Sequence, residues 1–196
     1  IFRSGCQTGV DRGLFDAFFD YVKNNENVKS INRSESLLTV EFNNGNKWKL
    51  TGWCPLGRIA EDGKIDSKYP IKETLTMDYK QRTEWNVFDA DATLIILSSS
   101  TFNTNLDGTG FTINMTEKHK KPCLQICLEI VLVIDSLNLN EGTKKKIDQV
   151  LDWIKNNKIK HLNVAGPRER NSPGIYENTL LFIGYLLKKL EELQTI

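Results

Sequence analysis

The chain lacks any apolar run approaching the length of a membrane span, and no charged-plus-apolar leader is expected. It also lacks excess charge. Lys and Arg number 26 against 25 Asp and Glu, a formal net charge of +1 at pH 7. Non-specific nucleic-acid binding needs a basic surface, so no nucleic-acid partner is expected, although a local basic pocket fits this balance. Cysteine is scarce, at positions 6, 54, 123 and 127 only. Those spacings match neither a zinc site nor a disulfide framework, which predicts reduced thiols in a cytoplasmic protein and no bound metal. The two histidines, His119 and His161, stand in no nucleophile–base pattern and read as structural or exposed.

What is present fits one domain, residues 1–196, with a full-sized core. The chain opens on a strand pattern, so at least one residue is expected before Ile1. Residues 13–23 place Leu14, Phe15, Phe18, Phe19 and Val22 at helical spacing. Leu38, Val40 and Phe42 alternate with polar neighbours, Asn44-Gly45 is a hairpin turn signal, and Trp48 and Leu50 continue the alternation. Residues 28–51 are therefore expected as an inserted β-hairpin. A stretch with little periodicity, 54–71, follows, and loops of that length in compact domains are usually functional or disordered. Helices are predicted at 79–88, 109–119, 143–156 and 175–193, and strands at 92–97, from 123, and at 161–165. Apolar residues continue from 123 to Ile134, more than one strand requires. Alternating strands and helices, with no internal repeat or linker, predict an α/β fold: one Rossmann-like three-layer domain with a mainly parallel sheet.

Two junctions carry the chemistry. Leu162 to Glu169 is an apolar run reaching Gly166, Pro167, Arg168 and Glu169, with Pro173-Gly174 before the last helix. At the other terminus, Ile1-Phe2-Arg3 leads into Ser4, Gly5, Cys6, Gln7, Thr8, Gly9, Val10, Asp11 and Arg12. Strands of parallel sheets deliver such loops to a ligand at their carboxyl ends. The first loop is not a Walker A loop, because no Gly-Lys-Ser/Thr follows, and it lacks the third glycine of a dinucleotide fingerprint. In residues 52–63, Trp53 has the chemistry to stack on a planar ring and Arg58 to clamp a phosphate, or Arg58 ties the loop to Glu61 or Asp62. Thr74, Tyr79, Arg82, Thr83 and Asn86 cluster around one helix. Gly108, Thr109 and Thr112 open another in an anion-friendly geometry.

Taken in order, SGCQTGVDR (4–12), GWCPLGRIAEDG (52–63), YPIKET (69–74), RTEWNVFDADATLI (82–95), GTGFT (108–112), Lys121-Pro122, LNVAGPRER (162–170) and PGIY (173–176) resemble the molybdenum carrier family. That family is a branch of the SLOG superfamily of Rossmann-like proteins, which includes the LOG phosphoribohydrolases and DprA-type proteins. The resemblance spans nearly the whole chain. It departs at Cys6, where the family has a glycine, at the hairpin 28–51, and at Ser98, Ser99, Ser100 and Asp107, where glycines are typical. No glutamate follows Thr109 as the LOG motif requires.

The resemblance implies a small anionic ligand, nucleotide- or pterin-like, with molybdenum cofactor as the candidate, and a homo-oligomer. The alternatives are a nucleotide hydrolase, with Glu61, Asp62, Glu73 or Glu169 as general base, or a nucleotide sensor or sponge without turnover. Surplus apolar residues at 128–134 and on the last helix (Leu180, Leu181, Ile183, Leu186, Leu187, Leu190) also point to self-association. The loops at 4–12, 53–63, 108–112 and 166–170 are expected to converge on one pocket. Arg58 and Arg168 are assigned to the anion, and Gly5, Gly9, Gly108 and Gly166 to close backbone approach.

Overall fold

A computed structural model of the chain describes residues 1–99, 108–128 and 140–194. Its centre is a seven-stranded sheet. The apolar run Ala92–Leu97 forms β9, with all six residues buried. β9 lies between β10 (Cys123–Cys127) and β11 (Leu162–Ala165), parallel to both. Next come β1 (Phe2–Arg3) and β4 (Lys47–Thr51), each parallel to its neighbour. The sheet ends in β3 (Leu38–Phe42) and β2 (Val28–Arg33), both antiparallel pairings. A strand buried on both faces reads as a continuous apolar run, which is why β9 was legible.

The hairpin expected within 28–51 is present as antiparallel β3 and β4 at the sheet margin, and β2 extends it to a three-stranded meander. Its last strand enters the main sheet beside β1. The alternation in β3 buries Leu38, Val40 and Phe42, and the return strand buries Trp48 and Leu50. Trp48 packs edge-on against Phe42 at 4.9 Å and Phe2 at 5.8 Å. That burial, rather than the turn alone, fuses the insertion to the core.

α1 (Val10–Lys23) follows β1, α2 (Tyr79–Phe88) precedes β9, and α3 (Gly108–Lys118) joins β9 to β10. α4 (Glu141–Asn156) joins β10 to β11, and α5 (Ile175–Gln194) follows β11. α4 starts two residues before the expected Thr143, because the Asn140 side chain accepts the Thr143 N–H at 2.7 Å as an N-cap. Parallel crossovers are right-handed. α3 carries the chain outward from β9 to β10 and α4 carries it back past β9 to β11, so the two helices cover opposite faces. α5 packs on α1 and α4, while α3 packs on α2. Adjacent strands β9 and β11 therefore send their helices to opposite faces. A crevice between their carboxyl ends follows from topology.

The remaining strands are pairs of dipeptides, too short to show periodicity. β5 (Trp53–Cys54) pairs with β8 (Lys72–Glu73), and β6 (Ile59–Ala60) with β7 (Gly63–Lys64). Of the apolar stripe on α5, Ile183, Leu186 and Leu187 are buried in the chain's own core, and Leu180 and Leu190 pack against it. Internal packing thus absorbs most of the α5 stripe. Residues 129–134, Ser100 and Asp107 lie outside the described residues. Among the described residues, no helix is long and apolar enough to cross a membrane.

Polar anchors tie the layers together, and they carry a pH dependence. Tyr69 and Tyr176 both donate to Asp16, at 3.0 and 2.9 Å, and Tyr21 donates to Glu191. Burial, reinforced by the neighbouring carboxylate, pushes all three phenols above the usual tyrosine range. Burial also raises the thiols of Cys6 and Cys54, the latter to about 11. The unfolded chain releases these protons at lower pH than the native protein does, so the unfolded state binds fewer protons in alkali. Stability is then lost as pH rises through about 9–10 and beyond. A thermal midpoint that stays flat from pH 8 to 11 would contradict this.

Candidate functional site

The crevice lies where topology places it. It has a volume of about 260 Å³ and is lined from four directions. The loop after β1 supplies Gln7 and Asp11, and the end of β11 and its loop supply Ala165, Gly166 and Arg168. The start of α3 supplies Gly108, Phe111 and Thr112, and α2 contributes Tyr79, Lys80, Arg82 and Thr83. A smaller polar recess, lined by Ser4, Gly5, Asn86 and Asn163 among others, lies alongside and shares Asp11, Arg82, Thr83, Thr112 and Ala165 with the crevice.

The charged groups are placed as pairs with one cation over. Asp11, 4% exposed, uses Oδ2 to accept Arg82 Nη1 at 2.8 Å and its own loop's Gln7 N–H at 3.3 Å. Arg168 stacks over the Tyr79 ring at 4.8 Å, and its Nη1 lies 4.0 Å from Glu61 Oε2, a long pairing. Lys80 Nζ lies over the Phe111 ring at 5.9 Å and forms no ion pair among the described residues. α3 opens at Gly108, and the lining cations Lys80, Arg82 and Arg168 outnumber the one lining carboxylate, Asp11.

Several expected ligand contacts are engaged within the protein. Arg58 was assigned to an anion, or to Glu61 or Asp62. Instead its guanidinium donates to four main-chain carbonyls: Ile65 at 3.1 Å, Ile71 at 3.2 Å, Asp66 at 2.8 Å and Tyr69 at 3.0 Å. It knits the 54–71 segment together and does not line the crevice. Asp62 pairs with Arg12, which holds its carboxyl below the usual range, and Arg12 also reaches the Cys6 carbonyl at 3.3 Å. Glu61 accepts from the Thr8 hydroxyl. The tip of the β6–β7 ribbon is thus strapped onto the first loop.

Trp53 faces away from the crevice. Its indole donates to Asp89 at 2.8 Å and packs edge-on against Trp85 at 4.7 Å. Asn86 clamps the Trp53 backbone in both directions at 3.0 Å. Glu169 accepts from Gly174 N at 2.5 Å and Tyr176 N at 3.0 Å, so its carboxylate caps the start of α5. Pro167 accepts Val10 N at 3.3 Å and covers the start of α1. Thr109 is buried and does not line the crevice.

The glycines divide likewise. At Gly5 a side chain would meet the Arg82 guanidinium, and at Gly166 the Ile96 carbonyl and Val10. Gly9 has φ 76° and a side chain there would fall 2.7 Å from Glu169 N. These three serve contacts between protein segments. Cys6 adopts φ 54° with its thiol buried in the core. That is the left-handed region that favours glycine, so a cysteine there carries some conformational cost.

Tyr79, Lys80, Thr83, Phe111 and Ala165 line the crevice but were not among the residues assigned to the ligand from sequence. Lys80 reads as a solvated helix face, and nothing local distinguishes it. Among the described residues, no group of three or more His, Cys, Asp or Glu side chains is arranged to hold a metal ion.

This arrangement has relatives. The crystal structure of a protein named putative molybdenum carrier protein, from Syntrophus aciditrophicus SB, superposes with a TM-score of 0.69 at 30% sequence identity. The match covers 95% of this chain and 93% of that one. No curated protein sequence matches the chain. The model of the circularly permutated YpsA SLOG family matches residues 2–187. With nearly its full length matched, the chain belongs to the circularly permutated YpsA SLOG family.

Proposed function

We propose that the crevice binds an anionic nucleotide- or pterin-like small molecule, and that the protein acts as a carrier or binding protein of the molybdenum-carrier type. One observation supports this above others. A topological switch point, where ligands of such sheets bind, coincides with Arg82, Arg168 and Lys80, the last without an ion pair among the described residues, beside the start of α3. The volume of about 260 Å³ suits one end of such a molecule, its phosphate or oxo-anion. A turnover reading has less support. Glu61, Asp62 and Glu169 are held by Thr8, Arg12 and the α5 cap, and Glu73 accepts Gly57 N at 2.5 Å. None of the four lines the crevice. The four free cysteines accord with a reducing compartment, and we place the protein in the cytoplasm on that ground.

Arg168 is the critical test. Its guanidinium is about one-third exposed, and among the described residues its only ion pair is the long one to Glu61. Losing a charge-assisted contact to the ligand removes about 1.5–3 kcal/mol, roughly ten- to a hundredfold in affinity. Arg168→Ala is therefore expected to bind pterin and adenine nucleotides that much more weakly by calorimetry, with its unfolding midpoint nearly unchanged. Unaltered affinity for the best ligand would remove Arg168 from the site and the reading with it.

A further inference from the structure

We propose that Gln7 is the specificity-determining residue of the crevice, donating from Nε2 to an uncharged oxygen of the ligand. The inference rests on the reading that an anionic small molecule binds there. Gln7 lines the crevice yet is only 3% exposed. Its Oε1 accepts two main-chain N–H groups, Thr8 at 3.1 Å and Glu61 at 2.9 Å. Turning the amide over would set its NH2 against two donors, so the orientation is fixed by its surroundings. Nε2, with two hydrogens to give, is then buried with no partner among the described residues. Folded proteins leave few buried donors unmade, and at a binding crevice such a donor marks a ligand contact.

The surroundings select what kind of acceptor it meets. Asp11 Oδ2 lies 3.3 Å from the Gln7 main-chain nitrogen, and Glu61 follows from the other side through Thr8 and its own N–H. Asp11 already matches Arg82 at 2.8 Å, which leaves this end of the crevice close to neutral and less suited to the ligand's anion than the Lys80 end. The cations that suit the charge are Lys80 and Arg168, on α2 and the β11 loop. The ligand is therefore two-ended. Its anion sits toward Lys80, Arg168 and the start of α3, and a carbonyl, ring oxo or hydroxyl oxygen meets Gln7. That chemistry is an organic phosphate or comparable ester, and it excludes a free inorganic oxyanion as the preferred cargo.

Calorimetry separates the cases, using guanosine 5′-monophosphate and ribose 5-phosphate against inorganic phosphate and molybdate. The wild-type protein is expected to prefer at least one organic phosphate by tenfold or more. Gln7→Met removes the donor without adding charge and is expected to lose about tenfold on that probe while inorganic phosphate changes little. Should Gln7→Met fail to fold, Gln7→Glu carries the test. It keeps an acceptor for both N–H groups, replaces only the NH2, and is expected to lose at least as much. An organic-to-inorganic ratio unchanged in the variants overturns the role of Gln7 alone. A wild-type protein binding inorganic phosphate as tightly as either organic probe overturns the two-ended ligand. Binding of no probe by the wild type, with Arg168→Ala indistinguishable from it, overturns the crevice reading and this inference together.

Discussion

Arg82→Ala is expected to lose about 3–5 kcal/mol of folding stability, the usual consequence of stripping one partner from a buried ion pair. Asp11 would remain, 4% exposed, with its Oδ2 facing only the Gln7 N–H at 3.3 Å. Arg82 itself is well enclosed, at 14% side-chain exposure, so solvent cannot readily replace it. The pair is cheaper to remove whole: Arg82→Met combined with Asp11→Asn should recover most of the loss, because no uncompensated charge is left behind. Guanidinium denaturation of the two single variants and the double variant measures the coupling. If Arg82→Ala costs less than about 1 kcal/mol, the pair behaves as a surface salt bridge and the closed description of the crevice floor is wrong. Ligand affinity should stay low in the double variant even where stability returns, since Arg82 also lines the crevice.

Arg58→Ala is expected to cost about 3 kcal/mol, with its effect on stability and not directly on ligand contact. Four carbonyls spread over residues 65–71 lose one shared donor; a charge-assisted hydrogen bond contributes roughly 1.5–3 kcal/mol net, and the four sum to far less than fourfold because these partly exposed carbonyls regain water. Lysine has a single ammonium without the planar fork, so Arg58→Lys should recover little. Arg58 also adopts φ 55°, which glycine tolerates and alanine does not. Arg58→Gly should accordingly be less damaging than Arg58→Ala by about 1 kcal/mol. Limited proteolysis should cut both variants first between residues 55 and 72. A variant that keeps the parent's cleavage pattern and midpoint would show that the segment holds without its arginine.

Arg58 and Arg82 show where sequence reasoning stopped. Both are arginines in motif segments; Arg58 was assigned to the anion, and Arg82 to a polar cluster around its helix. Arg58 finds acceptors within 13 residues of itself, carbonyls that carry no sequence signature. Arg82 meets Asp11 across 71 residues, a pairing that exists only once β1 and α2 are brought to the same edge of the fold. Glu169 was misjudged for a similar reason: a carboxylate beside a ligand loop and a carboxylate capping the next helix look alike until Gly174 and Tyr176 turn their N–H groups toward it.

The sequence by itself determined the sheet and the side on which a site would form. The uninterrupted apolar run of β9, the alternation of β3 and β4, and the strand–glycine–helix junctions at both ends depend on periodicity and local backbone preference, which neighbouring residues carry. Tertiary structure alone decided which polar side chains face the crevice and which are consumed inside the protein. It also set the last strand of the insertion beside β1 and left Gln7 Nε2 without a partner among the described residues. Hydrogen bonds and ion pairs are short-ranged and directional, so their partners are set by which distant segments fold against each other, not by the spacing of residue types along the chain.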